Sequence, residues 1–207
     1  MNIDDVRKQR FDIATMPVDP FKQFSIWFED VRIANIPYSN AMAIATASSQ
    51  GRPSARMVLL KEFDHNGFVF YTNYESRKAS ELEANPYGSI LFFWDALERQ
   101  VRIEGIVHRT TREESRQYFA TRPRESQIGT WVSRQSSNLP DCCDLEDSAA
   151  ALEKKFSGQE IQCPDFWGGY RLVPESFEFW QERPYRLHDR VLYKKNGGKW
   201  IVSRLFP

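Results

Sequence analysis

Between residues 41 and 72 the chain alternates short apolar runs with turn-forming clusters, a pattern that an antiparallel sheet accommodates and a helix does not. Residues 41–48 and 55–63 flank Gln50-Gly51-Arg52-Pro53, and Asp64-His65-Asn66-Gly67 leads into residues 68–72. Gly, Pro, Asn and Asp supply the backbone conformations that tight connections need, so three sequential antiparallel strands are expected. Strand patterning returns at 89–94, 100–109, 168–173, 177–181, 187–193 and 200–205, which makes strands from both ends of the chain share one sheet. Helices fall between them. Asp19-Pro20 predicts an N-cap followed by a first-turn proline, and Phe21, Phe24, Trp27, Phe28 and Val31 then recur at helical spacing. Ser76 predicts the cap of a helix ending before Asn85-Pro86, Thr111 caps another running through Tyr118, and residues 145–156 form a fourth. The expectation is a β-rich α+β fold, a barrel-like sheet with helices packed outside, built as one domain over 17–207 behind a polar, weakly ordered arm at 1–16. Residues 121–140, rich in Arg, Ser and Gln, read as a long loop serving a site or an interface.

Composition removes several function classes. Among 207 residues, 28 Lys and Arg balance 28 Asp and Glu, and without a basic tail or run nucleic acid is not expected as a partner. No stretch approaches the roughly 20 apolar residues of a membrane span, and the first ten residues are too polar for a signal peptide. Cys142, Cys143 and Cys163 are odd in number and form no C-x-x-C pair, so a reduced cytoplasmic protein without disulfides or structural zinc is expected. Three scattered histidines offer no metal-ligand spacing, and neither G-x-G-x-x-G, a P-loop nor a G-x-S-x-G elbow is present. The 14% aromatic content suits a β-rich core or a site for a planar ligand.

The cations are more specific. Arg186-Leu187-His188-Asp189-Arg190 precedes Val191-Leu192-Tyr193 and the turn Asn196-Gly197-Gly198, so it reads as the first arm of a hairpin with Arg186, His188 and Arg190 on one face. Such a row needs an anion opposite it or else marks a charged, solvated edge strand. Arg56 and Lys61 stand at odd spacing, which sends them to opposite faces of one strand, where two anions could be served. Arg77 and Lys78 open a helix behind Ser76, where free N–H groups favour phosphate. Tyr118, Arg122, Arg124 and Ser126 form a second candidate anion site. A redox cofactor carrying its own phosphate accounts for two anion sites and the aromatic supply together.

At these residues the chain resembles a known family. Arg56-Met57-Val58-Leu59-Leu60-Lys61, Phe70-Tyr71-Thr72, Ser76-Arg77-Lys78, Glu98-Arg99-Gln100-Val101 and Arg122-Pro123-Arg124-Glu125-Ser126-Gln127-Ile128-Gly129 are similar to pyridoxine/pyridoxamine 5'-phosphate oxidases, as are Trp131-Val132-Ser133-Arg134-Gln135-Ser136-Ser137, Phe166-Trp167-Gly168-Gly169-Tyr170-Arg171, Glu178-Phe179-Trp180-Gln181 and Arg186-Leu187-His188-Asp189-Arg190, in order from about residue 17 to residue 207. The resemblance implies an FMN-binding split β-barrel working as a homodimer with sites at the subunit interface. It implies an FMN site made by Arg56, Met57, Val58, Leu59, Lys61, Tyr71, Thr72, Arg77, Lys78 and Gln100, completed from the partner subunit by Gln135, Ser136, Trp180 and Arg190. It further implies that Lys61, Tyr118, Arg122 and Ser126 hold a substrate phosphate, with Arg186 and His188 as catalytic groups over the pyridine ring. The implied reaction turns pyridoxine 5'-phosphate or pyridoxamine 5'-phosphate into pyridoxal 5'-phosphate, with O2 reduced to hydrogen peroxide. A related flavin oxidase acting on a phenazine-type precursor, or a non-catalytic carrier of flavin or pyridoxal phosphate, stands as the alternative. Where the family often has glycines, this chain has Glu182-Arg183-Pro184-Tyr185, a stiffer and bulkier loop, and its N-terminal arm offers no alignable lid arginine and tyrosine.

Overall fold

The computed structural model describes residues 3–9 and 11–207, without the side chains of Asp4 and Lys8. Of the arm expected over 1–16, Met1, Asn2 and Arg10 lie outside the described residues. The rest of the arm begins with helix α1 (Ile3–Lys8), whose Val6 is buried in the core. Helix α2 (Pro20–Ile33) starts where its cap predicts: the Asp19 side chain accepts from the Phe21 N–H at 3.0 Å. Its Phe24, Trp27 and Val31 are buried, with Phe24 edge-on to Phe68 and Trp27 edge-on to Phe179, so truncating Trp27 to Ala would cost about 3–5 kcal/mol. Arg99 beneath it is 1% exposed, yet it is fully partnered by Asp30 at 2.7 Å, Gln181 at 2.8 Å and the Trp27 ring at 4.4 Å.

The strands are β1 (Ala41–Ala47), β2 (Pro53–Leu59), β3 (Glu62–Asp64), β4 (Gly67–Asn73), β5 (Tyr87–Trp94), β6 (Arg99–Arg109), β7 (Trp167–Gln181), β8 (Asp189–Asn196) and β9 (Lys199–Arg204). They form one antiparallel sheet in the order β2-β1-β5-β6-β7-β4-β3, with β8 also on β7 and β9 on β8. The curl follows from β7. Its first half pairs with β4, Phe70 opposite Tyr170, while its second half pairs with β8, Trp180 opposite Arg190. Sequence patterning divides this strand in two at Pro174, which cannot donate to a ladder. The structure keeps it continuous by a register shift opposite Glu104 and Gly105, at the point where the outer partner changes. A Cβ on Gly105 would lie 2.0 Å from the Val173 carbonyl oxygen, so only glycine fits the bulge.

Four further helices lie outside the sheet: α3 (Arg77–Ala84), α4 (Arg112–Thr121), α5 (Arg124–Val132) and α6 (Leu145–Lys155). Thr111 and Glu114 complete a reciprocal capping box on α4. Helix α5 occupies the middle of the expected loop at 121–140. Its polar sequence conceals a narrow apolar contact, Ile128, which packs in a small second core with Phe119, Ile161 and Trp167. Among the described residues no helix is long and apolar enough to cross a membrane.

Candidate active site

A cavity of about 1110 Å³ opens between β2, β4, α3 and the α4–α5 corner. Met57, Val58 and Leu59 form its β2 edge, and cations gather at either side. At the α3 side, Arg56 donates to Thr46 at 2.6 Å and Ser54 at 2.5 Å and pairs with Glu81 at 3.3 Å, while Arg77 reaches Glu81 at 2.8 Å, one helical turn on. Burial alone would raise the Glu81 carboxyl, but hydrogen bonds from Ser54, Thr46, Arg77 and Arg56 outweigh it and hold the group at about 2. Glu81 therefore keeps both guanidinium groups oriented toward the cavity wall.

Lys78 is the unusual group. It is 6% exposed, and its Nζ donates to Gln135 Oε1 at 2.6 Å, Thr72 Oγ1 at 3.0 Å and Ser76 Oγ at 3.3 Å, all neutral acceptors. Burial, then the Arg56 charge, pushes it down to about 8. Ser76 stands at the N-cap of α3, but its hydroxyl donates to the Asn73 carbonyl at 2.7 Å and makes no cap bond. The start of α3, where Arg77 and Lys78 line the cavity, thus has no side-chain cap on its first N–H groups and lies beside a buried cation with no carboxylate partner among the described residues, which is the environment a phosphate dianion fits.

The other side carries Lys61, Tyr118, Arg122 and Ser126. Tyr118 stacks on Tyr71 at 4.0 Å between ring centres, and Tyr71 on Trp167 at 5.4 Å. The Arg122 guanidinium lies 4.7 Å over Trp167 and donates to Thr130 Oγ1 at 2.7 Å, and Lys61 Nζ sits 5.8 Å from the Tyr118 ring centre. Among the described residues neither Lys61 nor Arg122 has a carboxylate within ion-pairing distance. Burial, then Glu62 and Glu114, pushes the Tyr71 phenol up to about 12, so this ring stays neutral.

Several expected placements change. Arg56 and Lys61 do not lie on opposite faces of one strand: β2 ends at Leu59, the Leu60 N–H bonds to Asn40 O, and the Lys61 N–H bonds to Val69 O. The chain changes partners at that step, and both cations line the same cavity. Arg124 leaves the anion cluster to bind Glu153 and the Phe156 carbonyl, tying α5 to α6. Gln135 and Ser136, expected from a partner, line the cavity of their own chain. Gln100, expected among the same chain's cavity residues, does not line it; it stands opposite Trp180, which stands opposite Arg190. This row lies on the sheet face away from the core, and Arg190 is taken by Glu178 at 2.7 Å and the Phe206 carbonyl at 2.9 Å.

Arg186 and His188 are not on a strand face. Pro184–Arg186 is a short 3-10 turn with Tyr185 and Arg186 at φ 60° and 61°, and β8 begins only at Asp189. His188 instead lies 4.6 Å from the Trp180 ring. The β8–β9 hairpin forms as its turn predicts, with Gly197 and Gly198 both at positive φ. Sequence reasoning missed Glu81 and Trp167 as site residues. The four-residue spacing of Arg77 and Glu81 was a usable signal, whereas the stacking of Trp167 on a tyrosine 96 positions earlier (167 − 71) was not.

The sheet and cavity define a class of protein before any sequence is compared. The fold superimposes on PhzG from Burkholderia lata 383, solved with tetrahydrophenazine-1-carboxylic acid, with a TM-score of 0.91 and 30% identity over 97% of this chain and 98% of that one. It shares the fold of a pyridoxamine 5'-phosphate oxidase-related, FMN-binding protein from Nostoc punctiforme, at a TM-score of 0.76 and 16% identity over 93% and 100% of the two chains. This is the flavin-binding split barrel. Residues 30–155 match the family described as pyridoxamine 5'-phosphate oxidase, and residues 167–207 match the pyridoxine 5'-phosphate oxidase C-terminal dimerisation region. The chain is 56% identical to the pyridoxine/pyridoxamine 5'-phosphate oxidase of Rubrobacter xylanophilus over 91% of its own length and 87% of the relative's. It is 51% identical to that of Paraburkholderia phytofirmans over 95% and 92%. The chain belongs to the pyridoxamine 5'-phosphate oxidase family, and it is an oxidoreductase.

Proposed function

We propose that this protein is an FMN-dependent oxidase that converts pyridoxine 5'-phosphate or pyridoxamine 5'-phosphate to pyridoxal 5'-phosphate and works as a homodimer. The observation that carries the reading is one cavity with cations at both sides, of which Lys61, Lys78 and Arg122 lack a carboxylate partner among the described residues. A cofactor phosphate and a substrate phosphate satisfy the two sides separately.

On this reading Arg56, Arg77, Lys78 and the N-terminus of α3 hold the FMN phosphate, with Met57, Val58, Leu59, Lys61, Tyr71, Thr72, Gln135 and Ser136 around the rest of the cofactor. When bound, the flavin accepts the hydride equivalent leaving C4' and passes it to O2, giving hydrogen peroxide; the amine substrate also takes up water and releases ammonia. Lys61, Tyr118, Arg122 and Ser126 fix the substrate phosphate, which orients C4' against the ring at small entropic cost. Gln100, Trp180, Arg186, His188 and Arg190 lie outside their own chain's cavity, and four of these five fall within the matched dimerisation region. We assign them to the second subunit's cavity, where Trp180 and Arg190 flank the cofactor and Arg186 and His188 face the substrate ring. Arg186 there stabilises charge developing as hydride leaves, and His188 acts as a hydrogen-bond donor.

A second reading, oxidation of a phenazine-type precursor, is favoured by the likeness to the PhzG complex. The paired Lys61 and Arg122 favour a phosphate over a ring carboxylate. Incubating purified protein aerobically with pyridoxine 5'-phosphate tests the proposal: aldehyde and peroxide formed in equal amounts, with FMN released from the protein on denaturation, support it. Bound flavin without turnover of this substrate refutes it in favour of a carrier or of the phenazine reading.

A further inference from the structure

The loop between β7 and β8 is gripped by the N-terminal segment. The Arg183 side chain is 12% exposed and its Nε pairs with Asp189 at 2.7 Å. Its Nη1 donates to the Arg7 carbonyl at 2.5 Å, and its Nη2 donates to the Gln9 carbonyl. All three donor atoms of the guanidinium are thus used, two of them by backbone 174 and 176 positions away. The segment they hold is itself anchored to the core. Val6 is buried, the Val6 carbonyl accepts from Arg99 at 3.5 Å, and Arg7 Nε donates to the Ala96 carbonyl at 3.1 Å.

The same residue touches the proposed chemistry from its main chain. The Arg183 N–H donates to Nδ1 of His188 at 3.2 Å, so Nδ1 is the acceptor nitrogen and the proton of the neutral ring belongs on Nε2. Between them the backbone adopts two consecutive left-handed conformations, at Tyr185 and Arg186. L-residues avoid that region, and such a turn persists only where its surroundings over-determine it. Pro184 stiffens the turn, and the Arg183–Asp189 pair closes it from both ends.

We infer that Arg183 is a positioning residue: it couples the N-terminal segment at 6–9 to the turn carrying Arg186, and it holds His188 in the orientation that presents a protonated Nε2. The inference rests on the proposed function only in taking His188 to face the substrate. A peptide segment docked far along the chain then decides whether the imidazole presents a donor or an acceptor.

The test uses the full-length, FMN-loaded protein labelled with 15N-histidine. Its three histidines are His65, His108 and His188, and a His188→Gln sample identifies the signal of interest. The wild type should show His188 protonated on Nε2, and Arg183→Ala should show a mixture of tautomers, with FMN content unchanged. The kcat for pyridoxine 5'-phosphate should fall between about 10- and 100-fold, the scale of a misplaced catalytic group. Arg183→Lys keeps a charge for Asp189 but cannot hold both carbonyls, so it should fall between the two and serves if the alanine variant does not fold. A His188 signal that is the same in wild type, Arg183→Ala and Arg183→Lys overturns the inference, whatever happens to activity. A tautomer change in a protein whose wild type makes no aldehyde leaves the coupling standing and sinks the proposed function instead.

Discussion

Raising the pH from about 7 to about 9.5 should weaken FMN binding roughly 30-fold, through Lys78. Its ammonium is buried among neutral acceptors beside Arg56, and burial, then that charge, brings it down to about 8 in the ligand-free protein. A phosphate dianion stabilises the charged form, so binding draws on the protonated fraction. That fraction is about 0.9 at pH 7 and about 0.03 at pH 9.5, a ratio near 30 or about 2 kcal/mol. The sign is fixed by linkage: affinity is nearly full at pH 7, about half of that at pH 8, and approaches a tenfold fall per unit above it. The ligand-free protein should respond oppositely. Its folded Lys78 binds a proton less tightly than the ordinary value of 10.5, so this group adds stability as pH climbs from 8 toward 10.5. Quenching of FMN fluorescence, titrated at several pH values for wild type and Lys78→Arg, measures the effect, since a guanidinium does not titrate in this range. A wild-type affinity that is flat across the range, or an arginine variant with the same slope, refutes the reasoning.

Three further outcomes are expected. Arg122→Ala should weaken pyridoxine 5'-phosphate binding by roughly 10-fold or more, from loss of a charged hydrogen bond contributing about 1.5–3 kcal/mol, and should leave FMN binding and phosphate-free pyridoxine almost untouched; equal losses for both vitamers would move Arg122 off the phosphate. Arg186→Ala should lower kcat together with kcat/KM in single-turnover flavin reduction, and a rise in KM alone would make it a binding residue only. Sedimentation should show a dimer that FMN stabilises, since a ligand held between subunits favours association, and an FMN-loaded active monomer would contradict the sharing of Trp180 and Arg190.

Where local chemistry decided the outcome, the sequence was readable. Asp19-Pro20 and the Phe24, Trp27, Val31 spacing located α2, and Gly197-Gly198 located the β8–β9 turn, because caps and turns are built from neighbours. Helix α5 was hidden, since Ile128 is its one buried hydrophobic side chain, with Val132 only partly buried beside it against the second core, and so short an apolar stripe does not announce a helix. The break after Leu59 and the continuity of β7 through Pro174 depend on strands paired across the chain, which a local pattern does not contain. The site divides in the same way. Arg56, Lys61, Lys78 and Arg122 were legible as charge without an evident partner. The withdrawal of Arg124 to Glu153, and of Arg186 and His188 from the strand face, needed the fold itself.

The two-partner strand β7 also sets an order of events during synthesis. On its inner side β4 has no neighbour except β7, and Phe70 waits 100 positions (170 − 70) for Tyr170. At about 5–20 residues per second, that interval leaves the β4 edge unpaired for roughly 5–20 s on the ribosome. Tyr71 and Thr72 ride on this edge, and Trp167, the far end of the aromatic pile, arrives with its partner. The cavity therefore lacks Trp167, against which Tyr71 and Arg122 pack, until four-fifths of the chain has been made (167 of 207), and such late, non-local closure belongs to slow folders whose open edge needs shielding in the meantime.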